Sequence, residues 1–329
     1  MSTLAHNLDL ADGNAIALRC PRCARELGNV DRTANALQPE LQCDACFFRM
    51  QQVDGIWHAL SPERERHFAR FMTEYQIVRT SEGRGSEDSA FYLALPYNDL
   101  SGRNAAQWNV RARSFRSLEQ EVLPLLEMNS LQPLDIVDIG AGNCWLSYRL
   151  AIRGHRPVAV DLITNNTDGL GAAIHYRQKL PDLFPRFQTD ADSMPFASAQ
   201  FDCVIFNASF HYSEDYVATM AEAVRCLRNE GMVIIADTAW YSREESGEQM
   251  IAERQQMFNS RYGFPSNGLK SLEYLTDSRL DRLAQLFNLN WQIVTPYYGI
   301  RWALRPWVAR LHGRREPSQF RIYFSEVRK

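Results

Sequence analysis

The sequence predicts an α/β protein with a Rossmann-like, mainly parallel sheet that has helices on both faces, preceded by a small module rich in cysteine. Three observations support this fold class. Two Cys-x-x-Cys pairs lie in the first fifty residues, and a short apolar strand runs into a glycine-rich turn at 134–142. Further apolar strands then alternate with helical segments as far as residue 325.

The length of 329 residues accommodates a catalytic domain and a smaller module. We expect three regions: a zinc ribbon at 1–60, a helical linker and cofactor or substrate cover at 61–130, and a catalytic domain at 131–329 with an insertion at about 240–275. Hydrophobic residues at 45% and charged residues at 23% are typical of a globular chain. The start of the sequence lacks a basic and apolar leader pattern, so we expect a cytoplasmic protein.

Charge argues against the whole chain being a polyanion-binding protein, because the formal net charge is only −3. The last segment, 299–329, nevertheless carries eight Lys or Arg against two Glu. A modest basic end is therefore present.

Four of the seven cysteines form two pairs, Cys20 with Cys23 and Cys43 with Cys46, separated by 19 residues. Two tight turns at this spacing can present four thiolates to one tetrahedral ion. The pattern predicts a closed, structural Zn²⁺ site, and it favours a reducing compartment over a disulfide framework.

The surrounding residues resemble the Trm112-like zinc ribbons that are fused to, or partner, methyltransferases. The resemblance rests on Leu18 and Leu41, each two residues before a cysteine pair, and on the turn at 54–56. Phe47 stands where that family usually has a glycine. The resemblance implies a small ribbon whose folding depends on metal binding.

Two helices are predicted between the ribbon and the catalytic domain. Ser61 and Pro62 are typical of a helix start, and Phe68, Phe71 and Tyr75 recur at helical spacing up to about residue 80. A second helix is predicted from about 104 to 127.

The glycine-rich turn predicts a ribose-containing cofactor. Gly140 and Gly142 separate an apolar strand from a helix, and such glycines let a ligand approach the backbone. The next strand ends in Asp161, 21 residues after Gly140, where a carboxylate can accept hydrogen bonds from both ribose hydroxyls. A dinucleotide is disfavoured because Trp145 occupies the position of the third small residue in NAD- and FAD-binding turns.

The segment 190–196, followed by the strand 201–207, resembles the signature of class I S-adenosylmethionine (SAM)-dependent methyltransferases, and the whole arrangement resembles their type-11 family. The resemblance implies a seven-stranded sheet whose final strand is antiparallel and inserted beside the fifth. The resemblance also implies that Asp138 helps to hold the methionine ammonium, that Gly140 and Gly142 pass beside the methionine, that Asp161 holds the ribose, and that Asp190 accepts from the adenine amine. Ala191, next to Asp190, and Asn207, at the end of the fourth strand, are further candidates for cofactor binding.

Catalytic candidates follow the strand 201–207, because ligands of parallel sheets lie beyond the carboxyl ends of strands. These candidates are Asn207, His211 and Tyr212. His211 is a candidate general base, since an ordinary histidine accepts a proton near neutral pH. The alternative is that His211 and Tyr212 form an aromatic wall without proton transfer, because methyl transfer needs mainly alignment.

The insertion at 240–275 is a candidate acceptor lid, since it is longer than a plain crossover requires. It contains several aromatic and methionine side chains: Tyr241, Met250, Met257, Phe258, Tyr262, Phe264 and Tyr274. Core packing is the alternative role for some of them.

The sequence does not decide which class of molecule accepts the methyl group. The aromatic insertion favours a small apolar or amphipathic molecule. RNA is the alternative, because the tail is basic and because zinc ribbons occur in a ribosomal RNA guanine methyltransferase that this chain resembles. A non-enzymatic, SAM-binding partner that docks another protein through its ribbon is a third hypothesis. The Arg- and Trp-containing tail is either a packed helix with solvated arginines or a segment lying on an anionic membrane.

Overall fold

The structure is a computed structural model that describes residues 15–32, 40–128 and 132–329. The expectation about the start of the chain rested on residues outside these ranges. Among the described residues, no helix is both long enough and apolar enough to cross a membrane.

A ten-stranded sheet forms the centre of the molecule. Seven of its strands, in spatial order, are β8 (Arg186–Gln188), β7 (Arg156–Asp161), β6 (Asp135–Ile139), β9 (Phe201–Asn207), β10 (Leu227–Ala236), β12 (Ile322–Val327) and β11 (Gln292–Val294). All pairings are parallel except those of β12, which lies antiparallel between β10 and β11. This order confirms the predicted seven-stranded, Rossmann-like sheet with its final strand inserted beside the fifth.

The central strands are buried on both faces, as parallel sheets require. All five residues of β6 are buried. Val137 and Ile139 belong to a core on one face of the sheet, whereas Ile136 belongs to a second core on the other face. Because side chains alternate along a strand, each face needs its own layer of helices.

The cysteine module joins this sheet. Strands β1 (Ala15–Arg19) and β2 (Glu26–Asp31) form a separate antiparallel pair. In contrast, β3 (Glu40–Gln42), β4 (Arg49–Val53) and β5 (Ile56–His58) extend the large sheet through a parallel pairing of β5 with β8. The expected boundary at residue 60 therefore does not separate two sheets. The physical reason is that β8 would otherwise leave an edge of unpaired backbone groups.

Helices α1 (Pro62–Ser81), α2 (Ser89–Ala94), α3 (Ala105–Ser117) and α4 (Leu123–Glu127) follow the module. The Ser61 side chain caps α1 by accepting from the Arg64 N–H at 3.3 Å, as its sequence predicts. The predicted second helix is interrupted by a π-helical turn at Leu118–Val122. Pro124 at the start of α4 lacks the N–H that a regular helix needs, which explains the irregularity.

The remaining helices are α5 (Trp145–Ile152), α6 (Tyr216–Cys226), α7 (Glu244–Tyr262), α8 (Asp277–Phe287), α9 (Ile300–Ala303) and α10 (Arg305–Leu311). Helix α7 makes up much of the insertion at 240–275. Tyr241 and Tyr274, on either side of it, are buried against each other with ring centroids 5.8 Å apart. These two aromatic residues are core, as the packing alternative expected.

Candidate active site

A cleft lies at the carboxyl ends of β6, β7, β8 and β9, with side chains of α1 and α3 on its opposite side. Its empty volume is about 1150 Å³, part of which is open solvent. This is the edge of the sheet where the sequence places the cofactor.

The turn after β6 packs tightly against the segment after β9. Gly140 has φ +72°, and a Cβ there would lie 2.3 Å from the Cβ of Ser209. The N–H groups of Gly140 and Ala141 both donate to the Val160 carbonyl, at 2.8 and 3.0 Å. Only glycine therefore fits at position 140, and the turn brings bare backbone to the floor of the cleft.

Cys144 precedes α5, at the position where the class I methyltransferase motif that 138–142 resembles usually has its third glycine. It adopts the left-handed conformation, with φ 62°, and is fully buried. The backbone conformation that makes glycine common there is thus kept, although a side chain is present.

Two carboxylates line the cleft beside this turn. Asp138 on β6 accepts a hydrogen bond from the Ser147 hydroxyl at 2.7 Å, and burial raises its pKa to about 7. Asp161 at the end of β7 accepts from the N–H groups of Gly142 and Ile163, each at 2.8 Å. Burial raises the pKa of Asp161 to about 6. The two N–H donors fix the orientation of this carboxylate toward the cleft.

A third carboxylate, Asp190, follows β8. One of its oxygens accepts from the Asp192 N–H at 2.9 Å, and the other pairs with Arg64 Nε at 2.8 Å. Ala191 lines the cleft next to it. Arg64 lies on α1, so this ion pair also attaches the cover helix to the floor of the cleft.

The three carboxylates lie on, at the end of, and just after three adjacent strands, which are about 4.8 Å apart. Asp138 and Asp190 are therefore separated by roughly two strand spacings, or about 10 Å. Such a row of acceptors can bind an elongated ligand that has a cationic end, a sugar and a nucleobase amine in that order.

At the other end of the cleft, Asn207 and Tyr212 line the wall, as the sequence predicts. His211 is not among the lining residues. Burial lowers its pKa to about 4, and its Nδ1 has no partner among the described residues. A base role for His211 stays a prediction, and burial makes this imidazole a weaker base than the ordinary histidine that the prediction assumed.

The cleft is covered mainly by aromatic side chains of α1. The rings of Phe71, Tyr75 and Tyr212 lie 5.6 to 6.0 Å from one another and surround one part of the cleft. None of the seven insertion residues proposed as a lid lines the cleft, and Leu269 is the lining residue from that segment. The i, i+4 spacing of Phe71 and Tyr75 was visible in the sequence, but it does not reveal what the helix faces.

Two arginines in the cleft were not singled out from the sequence. Arg79 forms a bidentate pair with Asp168, with Nη2 to Oδ1 at 2.9 Å. Arg111 on α3 has no hydrogen bond or ion pair with any described residue, and its guanidinium lies 4.9 Å from the Trp108 ring. Burial lowers the pKa of Arg111, and Asp237, which acts on it electrostatically in the opposite direction, forms no ion pair with it.

The four cysteines of the module meet in space. The Sγ atoms of Cys20, Cys23, Cys43 and Cys46 all lie within 4.8 Å of one another. A tetrahedral Zn²⁺ with bonds of about 2.3 Å would place its sulfurs about 3.8 Å apart, so the cluster has the right size for such an ion.

The two cysteine turns have the same backbone design. The N–H of Ala24 donates to Cys20 O, and the N–H of Phe47 donates to Cys43 O, both at 2.8 Å. Ala24 and Phe47 have φ values of 61° and 57°. Phe47 thus adopts the conformation for which glycine is usual, with its side chain exposed.

Comparisons with known proteins agree with this architecture. Residues 137–235 match the family model described as a methyltransferase domain. The malonyl-[acyl-carrier protein] O-methyltransferase of Geobacter sulfurreducens is 29% identical over 136 residues, which cover 41% of this chain and 49% of that protein. The enzyme of the same name from Hahella chejuensis is 32% identical over 159 residues, covering 44% and 55%. The chain spans about half the length of these curated relatives.

Among solved structures, magnesium protoporphyrin IX methyltransferase from Synechocystis is 16% identical, with a TM-score of 0.47. That match covers 72% of this chain and 93% of the other. The family match and the strand order lead to one conclusion. Residues 137–235 of this chain match a methyltransferase domain, and they lie in a sheet that is joined to an N-terminal module with a four-cysteine cluster.

Proposed function

We propose that the protein transfers a methyl group from SAM to a small, anionic acceptor bound between the sheet edge and helices α1 and α3. The observation that carries the small-molecule part is the aromatic cover formed by Phe71, Tyr75 and Tyr212. A cleft covered in this way suits a small ligand that inserts into it.

The row of carboxylates supports the proposed cofactor position. In this assignment Asp138 faces the methionine ammonium, Asp161 accepts from the ribose hydroxyls, and Asp190 with Ala191 faces the adenine. Gly140 and Gly142 leave room for the methionine beside the backbone. Asp161 is held by two N–H groups and Asp190 by Arg64, so these carboxylates are oriented before a ligand arrives.

Arg111 supports an anionic acceptor. A guanidinium in a cleft without a carboxylate partner loses hydration without compensation, so an anionic ligand group there gains charge-assisted hydrogen bonds. The charge of Arg79 is already neutralised by Asp168, so Arg79 would attract an anionic ligand less strongly than Arg111. The curated relatives named above are O-methyltransferases of a malonyl group, which bears a carboxylate. We therefore favour a carboxylic acid as the acceptor.

A carboxylate acceptor also fits the surroundings of His211. SAM supplies a methyl group on a sulfonium, which an oxygen nucleophile takes by in-line displacement. A carboxylate is already deprotonated, so no residue has to remove a proton. In this proposal Asn207 and Tyr212 position the acceptor and exclude water, and the partly buried His211 supports Tyr212, whose ring lies 4.3 Å away.

We also propose that Cys20, Cys23, Cys43 and Cys46 hold a structural Zn²⁺. Four thiolates leave no open position for a substrate. The ion would tie the β1–β2 pair to the β3–β4 turn, a region too small to hold this geometry by its own core.

The experiment is transfer of labelled methyl from SAM into a small-metabolite extract and, separately, into total RNA. We expect label in the metabolites, released as volatile methanol by mild alkali, because methyl esters hydrolyse under these conditions. Label in RNA would overturn the small-molecule assignment. SAM binding without any transfer would favour the alternative of a non-enzymatic partner.

Arg111→Gln tests the anionic acceptor, and Arg116→Gln, exposed on the same helix, is its control. Loss of a charge-assisted hydrogen bond is worth about 1.5–3 kcal/mol, so we expect the acceptor KM to rise roughly 10- to 100-fold in Arg111→Gln alone. The SAM dissociation constant should not change. Weakened SAM binding with an unchanged acceptor KM would mean that Arg111 serves the cofactor.

A further inference from the structure

The helical segment formed by α9, Leu304 and α10 exposes a row of large apolar side chains. Ile300, Trp307 and Leu311 are 70%, 68% and 84% exposed, and Leu304 and Val308 are also exposed. Neither helix has a buried residue. Both alternatives from the sequence, a packed helix with solvated arginines and a segment lying on an anionic membrane, therefore stay predictions.

These five side chains share one face. At about 100° per residue, positions 300, 304, 307, 308 and 311 fall within an arc of about 100°. Hydrogen bonds from Leu304 N to Ile300 O and from Val308 N to Leu304 O, both 3.0 Å, keep the helix continuous across the junction. We call this face, Ile300, Leu304, Trp307, Val308 and Leu311, the exposed stripe.

The opposite side of the segment attaches it to the protein. The Trp302 ring lies 5.7 Å from Phe320 and 4.9 Å from Tyr298. The guanidinium of Arg305 covers Trp302 at 3.9 Å. Since Trp302 anchors the segment, the exposed stripe is held facing solvent, where large apolar patches mark interaction surfaces.

The charged residues of the segment that carries the exposed stripe are all basic. Between residues 295 and 315 there are five arginines and no Asp or Glu. On the helical wheel Arg301 and Arg310 flank the stripe on its two sides. Arg301, Arg310 and Arg314 have no carboxylate partner among the described residues, whereas Arg315 pairs with Glu253 at 2.7 Å.

We propose that this segment is a docking surface for an anionic lipid membrane, lying in the plane of the interface. Large aliphatic side chains and one Trp would enter the acyl boundary, and the flanking arginines would reach lipid phosphates. RNA would use the arginines but would leave Ile300, Leu304 and Leu311 exposed to water. The absence of acidic residues from the segment makes the surface complementary to a negatively charged bilayer.

The docking surface is connected to the cleft. The Tyr298 hydroxyl lies 2.8 Å from Ser114 Oγ, and Arg113 donates to Tyr297 O at 3.1 Å. Both partners belong to α3, which carries Arg111. A membrane bound at the exposed stripe therefore contacts the segment that is fastened to the cover of the active site.

The test is sedimentation of the full chain with phosphatidylcholine vesicles that contain or lack 30 mole per cent phosphatidylglycerol. We expect binding to the anionic vesicles that falls as salt increases. Trp307→Ser with Leu311→Ser should weaken binding at least about tenfold, since affinity scales with inserted apolar area. Arg301→Gln and Arg310→Gln should each weaken it about fivefold.

Leu286→Ser is the matched control, because Leu286 is an exposed leucine on another helix, α8. It should bind like the unmodified protein, and all variants should keep their helical circular dichroism. Equal binding by the control and the Trp307/Leu311 variant would overturn the proposal. A protein that does not bind anionic vesicles, but that self-associates or binds RNA through this face, would also overturn it. The sign of that result is that the same variants abolish the self-association or the RNA binding.

Discussion

Gly140→Ala tests how tightly the cofactor turn packs against the segment after β9. The added Cβ would lie 2.3 Å from the Ser209 Cβ, a separation that real structures do not show. Position 140 also has φ +72°, which disfavours any side chain. Two costs are therefore present, backbone strain and a clash, and a control glycine can separate them.

Gly102 is that control, because its φ is +68° and an added Cβ would contact nothing within 4 Å. Gly102→Ala therefore measures strain alone, at about 1 kcal/mol of unfolding free energy. Gly140→Ala adds overpacking of about 1–3 kcal/mol, so its total loss should be about 2–4 kcal/mol. Because the turn must move to relieve the clash, SAM affinity should also fall.

The assay is urea unfolding of Gly140→Ala, Ser209→Gly and the double variant, with SAM titration of each. Ser209→Gly removes the clashing Cβ but also loses the hydrogen bond from Ser209 Oγ to Ile139 O, worth about 1 kcal/mol. The double variant should show a favourable coupling of about 1–3 kcal/mol. Equal unfolding free energies for Gly140→Ala and Gly102→Ala, with normal SAM binding, would refute the packing argument.

Three further predictions concern charge, metal and catalysis. Burial raises the pKa of Asp161 to about 6, above its unfolded value, so its carboxylate destabilises the ligand-free fold progressively as pH rises from about 4 to about 6. In urea unfolding, the free energy of unfolding of Asp161→Asn relative to that of the unmodified protein should increase across that pH window and change little above it. A difference between the two free energies that does not vary with pH would contradict the assignment. Cys43→Ser should lose bound zinc by metal analysis while Cys226→Ser keeps it, and equal metal contents would exclude the cluster as the site. His211→Asn should retain most methyl transfer, and loss of activity with normal folding would restore His211 as the base.

The row of carboxylates in the cleft was predictable because its signals are local. Asp138, Asp161 and Asp190 lie on, at the end of, and just after three strands that the sequence pattern indicates, and parallel strands bring their carboxyl ends to one edge. The four cysteines were likewise predictable, since ligand spacing alone restricts how two turns can meet. In both cases the chemistry depends on residues a few positions from a recognisable turn.

The acceptor side was not predictable, because it depends on which surfaces meet over long sequence separations. Phe71 and Tyr75 have the spacing of a buried helical face, but only the fold shows that the face covers a cleft. Arg111 looks like any helical arginine until its lack of a partner is visible. Similarly, the apolar spacing of 300–311 indicates an amphipathic helix without telling whether the protein itself covers the apolar face.

The joining of the cysteine module to the large sheet was missed for a related reason. Strand β5 has only three residues, and its partner β8 is more than a hundred positions away in the sequence. Short apolar strands carry little information about their partners. The expected boundary at residue 60 followed the end of the cysteine pattern and the helix start at Ser61, whereas strand pairing joins residues on its two sides.

The most direct test of the account is calorimetric titration of SAM into the unmodified protein, Asp161→Ala, Asp190→Ala and the exposed control Asp182→Ala. We predict that the unmodified protein and Asp182→Ala bind equally, that both cleft variants lose at least about tenfold in affinity, and that NAD does not bind. Undiminished SAM binding in both Asp161→Ala and Asp190→Ala would contradict the assignment of this cleft as the cofactor site.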